Sequence, residues 1–161
     1  MAQAKTNAMR LLETQKIAYR IHTYSADGDI DGVSVAQKTG QPPERVFKTL
    51  VAHTANGGLA VFCIPVAAHL NLKAAARAAG VKSIEMAAVK ELFPLTGYVR
   101  GGCTPLGMKK TYPAYLDQSA LLHPSILISG GRIGTQIELS PADLLRAANA
   151  NPAALTYSST E

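Results

Sequence analysis

Residues 46–65 read VFKTLVAHTANGGLAVFCIP. Two apolar runs, Val46–His53 and Leu59–Pro65, flank Asn56-Gly57-Gly58, a hairpin-type connection whose glycines tolerate the positive φ of a tight turn. One residue breaks the pattern. On a strand, Lys48 shares its face with Val46 and Leu50, whereas Phe47, Thr49 and Val51 take the other. Both faces are largely apolar, the pattern of an interior strand. A lysine there extends its stem to solvent, pairs with an acid, or points into a polar cavity. Burial without a partner would depress its pKa, and a carboxylate or substrate anion would hold its charge. Pattern alone leaves all three readings open, and it makes Lys48 the first functional candidate among the charged residues.

Outward from the hairpin, helices and strands alternate irregularly. Residues 3–17 read as an amphipathic helix, followed by a strand at Tyr19–Tyr24. The polar turn SADGDIDG (25–32) leads to Ser34, expected to N-cap a short helix that stops at Gly40. QPPE (41–44) then breaks the chain before the hairpin. Beyond it, Asn71–Ala79 is an alanine-rich helix ended by Gly80. A further helix is expected near Met86–Phe93, broken by Pro94, and TGYVRGG (96–102) reads as a strand running into a loop. Ser125–Ser129 and Thr135–Leu139 are strands around GGRIG, and Pro141 suits the first turn of a last helix. No βαβ period emerges, so the expectation is one α/β domain over 1–161 with a mixed sheet.

Composition narrows the class. The 161 residues are 47% hydrophobic and 17% charged, enough to bury a core and unlike a disordered chain. No apolar run approaches the ~20 residues that span a bilayer. The first residues, MAQAKTNAMRLLETQK, lack the apolar stretch of a secretory signal. The expected compartment is therefore the cytoplasm, with no membrane partner. A net charge of +5 permits a polyanionic partner such as nucleic acid. No polybasic run or tryptophan is present, however, and aromatics are only 6%, which argues against a stacking platform for single strands.

RGGCTPLGMKKTYP (100–113) invites a phosphate-loop or nucleophile reading. Gly102 and Gly107 have Walker spacing, but Met108 stands where the lysine belongs and Pro113 spoils a following helix. SGGRIG (129–134) lacks the first glycine of a dinucleotide fingerprint and runs into a strand-like TQIEL. His22, His53, His69 and His123 are scattered without paired ligand spacing. Cys63 and Cys103 are too few and too far apart for a zinc or CxxC site, so no metal or other cofactor is expected. Neither a G-x-S-x-G elbow nor an S-x-x-K pair occurs. Cys103 stays open as a nucleophile, although its base cannot be found in the sequence.

Five segments fall together in order: HTY (22–24), VFKTL (46–50), LNLKAAARAAGVKSIEMA (70–87), TGYVRGGCTPLGMKK (96–110) and SGGRIGTQIELSPADL (129–144). Over nearly the whole chain they resemble the YbaK/EbsC family of free-standing aminoacyl-tRNA deacylases, related to the editing domain of bacterial prolyl-tRNA synthetase. The resemblance implies a compact α/β domain whose mixed, partly barrel-like sheet is surrounded by helices. It also implies proofreading of mischarged tRNA, with Cys-tRNA(Pro) the best-matched substrate, Cys-tRNA(Cys) a further one, and prolyl-tRNA synthetase the partner that presents the tRNA. The physical rationale is that small side-chain differences give a synthetase only about 1–3 kcal/mol of discrimination. A sibling deacylase for Ala-tRNA(Pro) or another small residue, and a module that binds aminoacyl-tRNA or a nucleotide without chemistry, are the alternatives.

By the same resemblance, Lys48 is the essential site lysine, with Thr49 beside it and Tyr24 lining the pocket. Gly101 and Gly102 let the loop backbone approach the substrate ester. Cys103 and Pro105 belong to the same loop, and Ser129 with Gly130 forms the opposite wall. Lys73 and Arg77, four apart on one helix face, join Lys109 and Lys110 as tRNA-contact candidates. Two features depart from the family pattern. The 25–32 segment is short and lacks the aromatic often found before its last glycine, and Cys103 stands where an aliphatic residue is usual. On this reading Cys103 lines or packs the pocket, and the thiol that acts is the substrate's own.

Overall fold

The computed structural model describes residues 4–157. The order is α1 (Asn7–Thr14), β1 (Arg20–Thr23), α2 (Gly32–Thr39), β2 (Phe47–Thr54), β3 (Leu59–Pro65), α3 (Leu72–Ala79), β4 (Ile84–Met86), α4 (Leu92–Thr96), β5 (Ala114–Asp117), β6 (Ile126–Arg132), β7 (Thr135–Leu139), α5 (Pro141–Ala148) and β8 (Ala150–Ala153). The expected mixed sheet is divided in two. β1-β7-β6 is antiparallel throughout, while β4-β2-β3-β5-β8 is mixed, with β3, β5 and β8 parallel. A parallel bridge from Val46 to Leu127 joins the sheets, which gives the partly barrel-like curvature without closure.

The main core lies between the three-stranded sheet and helices α1 and α5. Met9, Leu12, Ile126, Ile128, Ile137, Leu139 and Leu144 meet there, with Phe47 and Cys63 reaching in from the hairpin. On the other face of the hairpin, Ala52, Ala60, Phe62 and Ile64 pack on Ala75 of α3, and Phe62 stacks on Tyr115 at 5.5 Å between ring centroids. The period of two explains this split, since Lys48↔Ile64 and Leu50↔Phe62 share one face and Thr49↔Cys63 the other.

Several boundaries differ from the sequence expectations, each for a local reason. The first helix covers only 7–14, capped by Thr6, and the expected start at residue 3 lies outside the described residues. Asp31, not Ser34, caps α2, because its carboxylate accepts from both the Ser34 N–H and hydroxyl at 3.1 and 2.8 Å. The helix expected at Met86–Phe93 is instead the short strand β4, a 3-10 turn at Val89–Glu91, and α4. Pro94 is tolerated in the first turn of α4, where its missing N–H costs nothing. TGYVRGG is not a strand. Its Thr96 belongs to α4, Gly97 ends that helix, and the rest turns. β6 also continues through Arg132 by a bulge between Ser129 and Arg132.

β2 reads as interior but is so only along part of its length. β4 pairs with Ala52–Thr54 alone, and the next contact on that side is the Val46 bridge. Between them, Lys48, Thr49 and Leu50 have no strand neighbour across from β3 among the described residues. Val51 turns its carbonyl toward Ala87 on the β4 side, so alternation places the N–H and C=O of Thr49 on the same open edge.

Candidate active site

That open edge forms the floor of a cleft of about 930 Å³, within the range of small-ligand sites. Lys48 and Thr49 line it together with Tyr24, Gly101, Cys103 and Ser129. These six come from four separated segments of the chain. Gly102, Pro105 and Gly130 do not line it. Pro105 and Lys110 border a second, smaller cavity beside Tyr112 and Ala147. Lys73 and Arg77 are exposed on α3, away from the cleft lining. Lys109 is exposed as well, its ammonium 5.9 Å from the Phe93 ring centroid and 3.2 Å from the carbonyl of Pro94.

Lys48 is part-buried and has no hydrogen-bond or ion-pair partner among the described residues. Desolvation alone pushes its pKa below the ordinary lysine value. A partly desolvated cation without an acid favours an anionic ligand. Two other titratable groups of the cleft, Cys103 and Asp31, are poorly placed to act as nucleophile or base. Burial raises the Cys103 thiol to about 11, so it is protonated at neutral pH despite hydrogen bonds from Thr96 and Thr104. The Asp31 carboxylate is engaged in capping α2, and its hydrogen bonds to Ser34 hold it below the usual range.

The glycine loop is built for backbone presentation. Gly101 has φ +88°, and a Cβ there would lie 3.2 Å from Ile133 and 3.4 Å from Ile30. A Cβ on Gly102 would stand 2.9 Å from the Cα of Arg132, so this glycine lets the loop lie directly on the β6–β7 turn. The Gly102 N–H is already spent on Val99 O at 2.9 Å. Gly101, by contrast, donates to no backbone carbonyl among the described residues, so its amide is the one the pair leaves for a ligand. Tyr98 holds the loop from beneath, its hydroxyl donating to Leu106 O at 2.6 Å. Burial pushes that phenol up to about 12.

Opposite stands the 25–31 segment, contributing Gly28, Asp29, Ile30 and Asp31 to the lining. Here the sequence reading missed a residue. The Lys38 ammonium on α2 donates to the carbonyls of Ser25, Asp27 and Asp29 at 2.9, 2.7 and 2.7 Å. Residues 25–29 make no other hydrogen bond to the rest of the chain among the described residues. The signal was thin, a lysine in the last turn of a short helix next to a polar turn. Gln136 also went unnoticed. It lines the cleft yet is only 5% exposed.

Residues 31–147 match the aminoacyl-tRNA editing domain. The chain belongs to the aminoacyl-tRNA editing family. As a member it is an aminoacyl-tRNA deacylase, and its substrate is an aminoacyl-tRNA. A relative from Enterococcus faecalis, under the provisional name Cys-tRNA(Pro)/Cys-tRNA(Cys) deacylase EbsC, is 42% identical over 96% of this chain and 94% of its own. A crystal structure described provisionally as a trans-editing enzyme for prolyl tRNA synthetase superposes with TM-score 0.84 at 27% identity, covering 97% and 100% of the two chains. A hypothetical protein solved by crystallography shares the fold with TM-score 0.85 at 23% identity, over 94% and 99%. Among the described residues of the editing domain, no helix is long and apolar enough to cross a membrane. No group of three or more His, Cys, Asp or Glu is placed there to hold a metal ion.

Proposed function

We propose that the protein removes cysteine from mischarged Cys-tRNA(Pro), with Cys-tRNA(Cys) as a second substrate, and that it works in trans beside prolyl-tRNA synthetase in the cytoplasm. One observation carries the reading. An unpaired, half-desolvated Lys48 and the unspent Gly101 amide line a cleft whose one cysteine is protonated at neutral pH. An aminoacyl ester is already activated, so positioning and oxyanion stabilisation suffice.

The substrate's Sγ attacks its own ester carbonyl carbon, and the bond from that carbon to the ribose oxygen breaks. The products are a four-membered thiolactone and a free tRNA end, and the thiol proton finishes on the ribose hydroxyl. Gly101 N–H, with the loop held by Gly102, donates to the carbonyl oxygen as negative charge grows there. Lys48 anchors the terminal phosphate or ribose, and Thr49 presents its open-edge backbone beside it. Tyr24 and Ser129 enclose the aminoacyl group. Cleavage by the substrate's thiol makes the enzyme formally a lyase, whereas attack by water would make it a hydrolase. Lys73, Arg77, Lys109 and Lys110 add an exposed phosphate track, so binding weakens as salt rises.

The test is a deacylation panel of Cys-, Ala- and Ser-tRNA(Pro) with wild type and Lys48→Ala. We expect Cys-tRNA(Pro) to be cleaved fastest, and Lys48→Ala to lose about 10²-fold or more, the scale of one oriented stabilising group. Equal turnover of the alanyl and seryl substrates would overturn the thiol route in favour of water. A fully active Lys48→Ala would remove the lysine from the site.

A further inference from the structure

Gln136 lies on β7, opposite Ser129 of β6 and His22 of β1. Its neighbour Ile137 turns into the main core, so alternation directs Gln136 to the other face, where it lines the cleft with Ser129, Thr49 and Lys48. The side chain is 5% exposed, and its Oε1 is fully buried without a hydrogen-bond partner among the described residues. Buried side-chain acceptors are nearly always satisfied, because an unmade hydrogen bond forfeits the full cost of desolvation. The other such orphan, Thr104 Oγ1, does not line the cleft. An acceptor held ready on a cleft wall calls for a donor brought by the ligand.

From this geometry we infer that Gln136 Oε1 accepts a hydrogen bond from the α-amino group of the aminoacyl moiety. This rests on the aminoacyl-tRNA reading of the cleft and adds the group that distinguishes an amino acid ester from any other ester. The free ribose hydroxyl beside the ester is a donor too, and the desamino comparison below separates it from the amine. The 3′ phosphates carry only acceptors, and the substrate thiol is consumed in the proposed step. The amine persists unchanged from ground state to transition state, so losing its partner raises KM more than it lowers kcat.

The test compares two substrates and two binding probes. Gln136→Leu removes the acceptor at similar volume. It should lower kcat/KM on Cys-tRNA(Pro) about 10-fold or more, mainly through KM. The desamino substrate, 3-mercaptopropionyl-tRNA(Pro), should already be poor for wild type by a similar factor and should lose nothing further in Gln136→Leu. Equal losses on both substrates, or none on either, overturn the inference. In parallel, calorimetry measures binding of 3′-cysteinylamino-3′-deoxyadenosine, an amide that cannot turn over, and of its desamino counterpart. Wild type should prefer the amine by about 10-fold, Gln136→Glu should keep the preference, and Gln136→Leu should lose it. Equal binding of both probes by wild type overturns the inference. An intact preference without turnover of any aminoacyl-tRNA would leave amine recognition standing and bring down the proposed function.

Discussion

The two walls of the cleft are built on opposite principles. The 98–107 wall is packed: Tyr98, Cys103, Thr104 and Leu106 are buried, Tyr98 ties its ends together, and Gly102 lies flat on the β6–β7 turn. The 25–31 wall is tethered: Ser25 to Asp29 are exposed, and their only hydrogen bonds to the rest of the chain among the described residues come from Lys38. They meet where Ile30 approaches Gly101. On the proposed function the packed wall presents the Gly101 amide, whose position must hold within a fraction of an ångström, since a misplaced donor forfeits most of its effect. The same proposal assigns the tethered wall to the substrate side chain, where shape can change without disturbing the amide. On that proposal chemistry and selectivity are divided between dense packing and a single polar clamp.

The strongest way to break this contrast is to force space into the packed wall. In Gly102→Ala the new Cβ would stand 2.9 Å from backbone rather than from a flexible side chain, so the loop itself must move. We expect turnover to fall about 10²-fold for every aminoacyl group alike, with about 1–3 kcal/mol of stability lost, as overpacking generally costs. Single-turnover kinetics and a urea titration measure the two. A loss confined to one aminoacyl group would mean that the packed wall also selects.

The complementary change cuts the tether. Lys38→Met keeps the stem and removes the three donors. Because the clamp is exposed, little stability should depend on it, within about 1 kcal/mol. The predicted consequence is selective: the preference for Cys- over Ala-tRNA(Pro) should shrink by about 10-fold while the better turnover changes by less than about 3-fold. Hydrogen exchange over residues 25–31 should quicken at the same time. Unchanged selectivity with quickened exchange would show that the tethered wall does not choose the substrate.

The hairpin, its faces and the lysine at its centre were legible because they are local: alternation, an Asn-Gly-Gly turn and one misplaced charge. The helix at Asn71–Ala79 was legible through its alanines and the Gly80 stop, and the last helix through Pro141 in its first turn. β5 and β8 were not, since AYLD and ANPA carry no period of their own and are strands only because β3 offers β5 a parallel edge and β5 offers one to β8. Lys48 and Gly101 could be proposed from their segments. The open edge that exposes Thr49 could not, because it depends on how short β4 is. Lys38 and Gln136 escaped for the same reason, as a tether and an orphaned acceptor are defined by what lies around them in space.

Cys103 gives the finest test of the contrast, because it belongs to the packed wall yet lines the cleft. It is 7% exposed, and burial lifts its thiol to about 11, well above its ordinary value. The thiolate is therefore scarce at neutral pH, and any reaction that used it would climb tenfold per pH unit up to about 11. If the residue only packs, Cys103→Ser should keep the wild-type pH profile and turnover within about 3-fold. It should lose roughly 1 kcal/mol of stability, since a hydroxyl replaces a weakly polar thiol in an enclosed site. A folded Cys103→Ser without activity, together with a wild-type rate that rises toward pH 11, would move the nucleophile from the substrate back to the protein. A flat comparison leaves the packed wall as scaffold, with the Gly101 N–H as the one chemical contribution proposed for it.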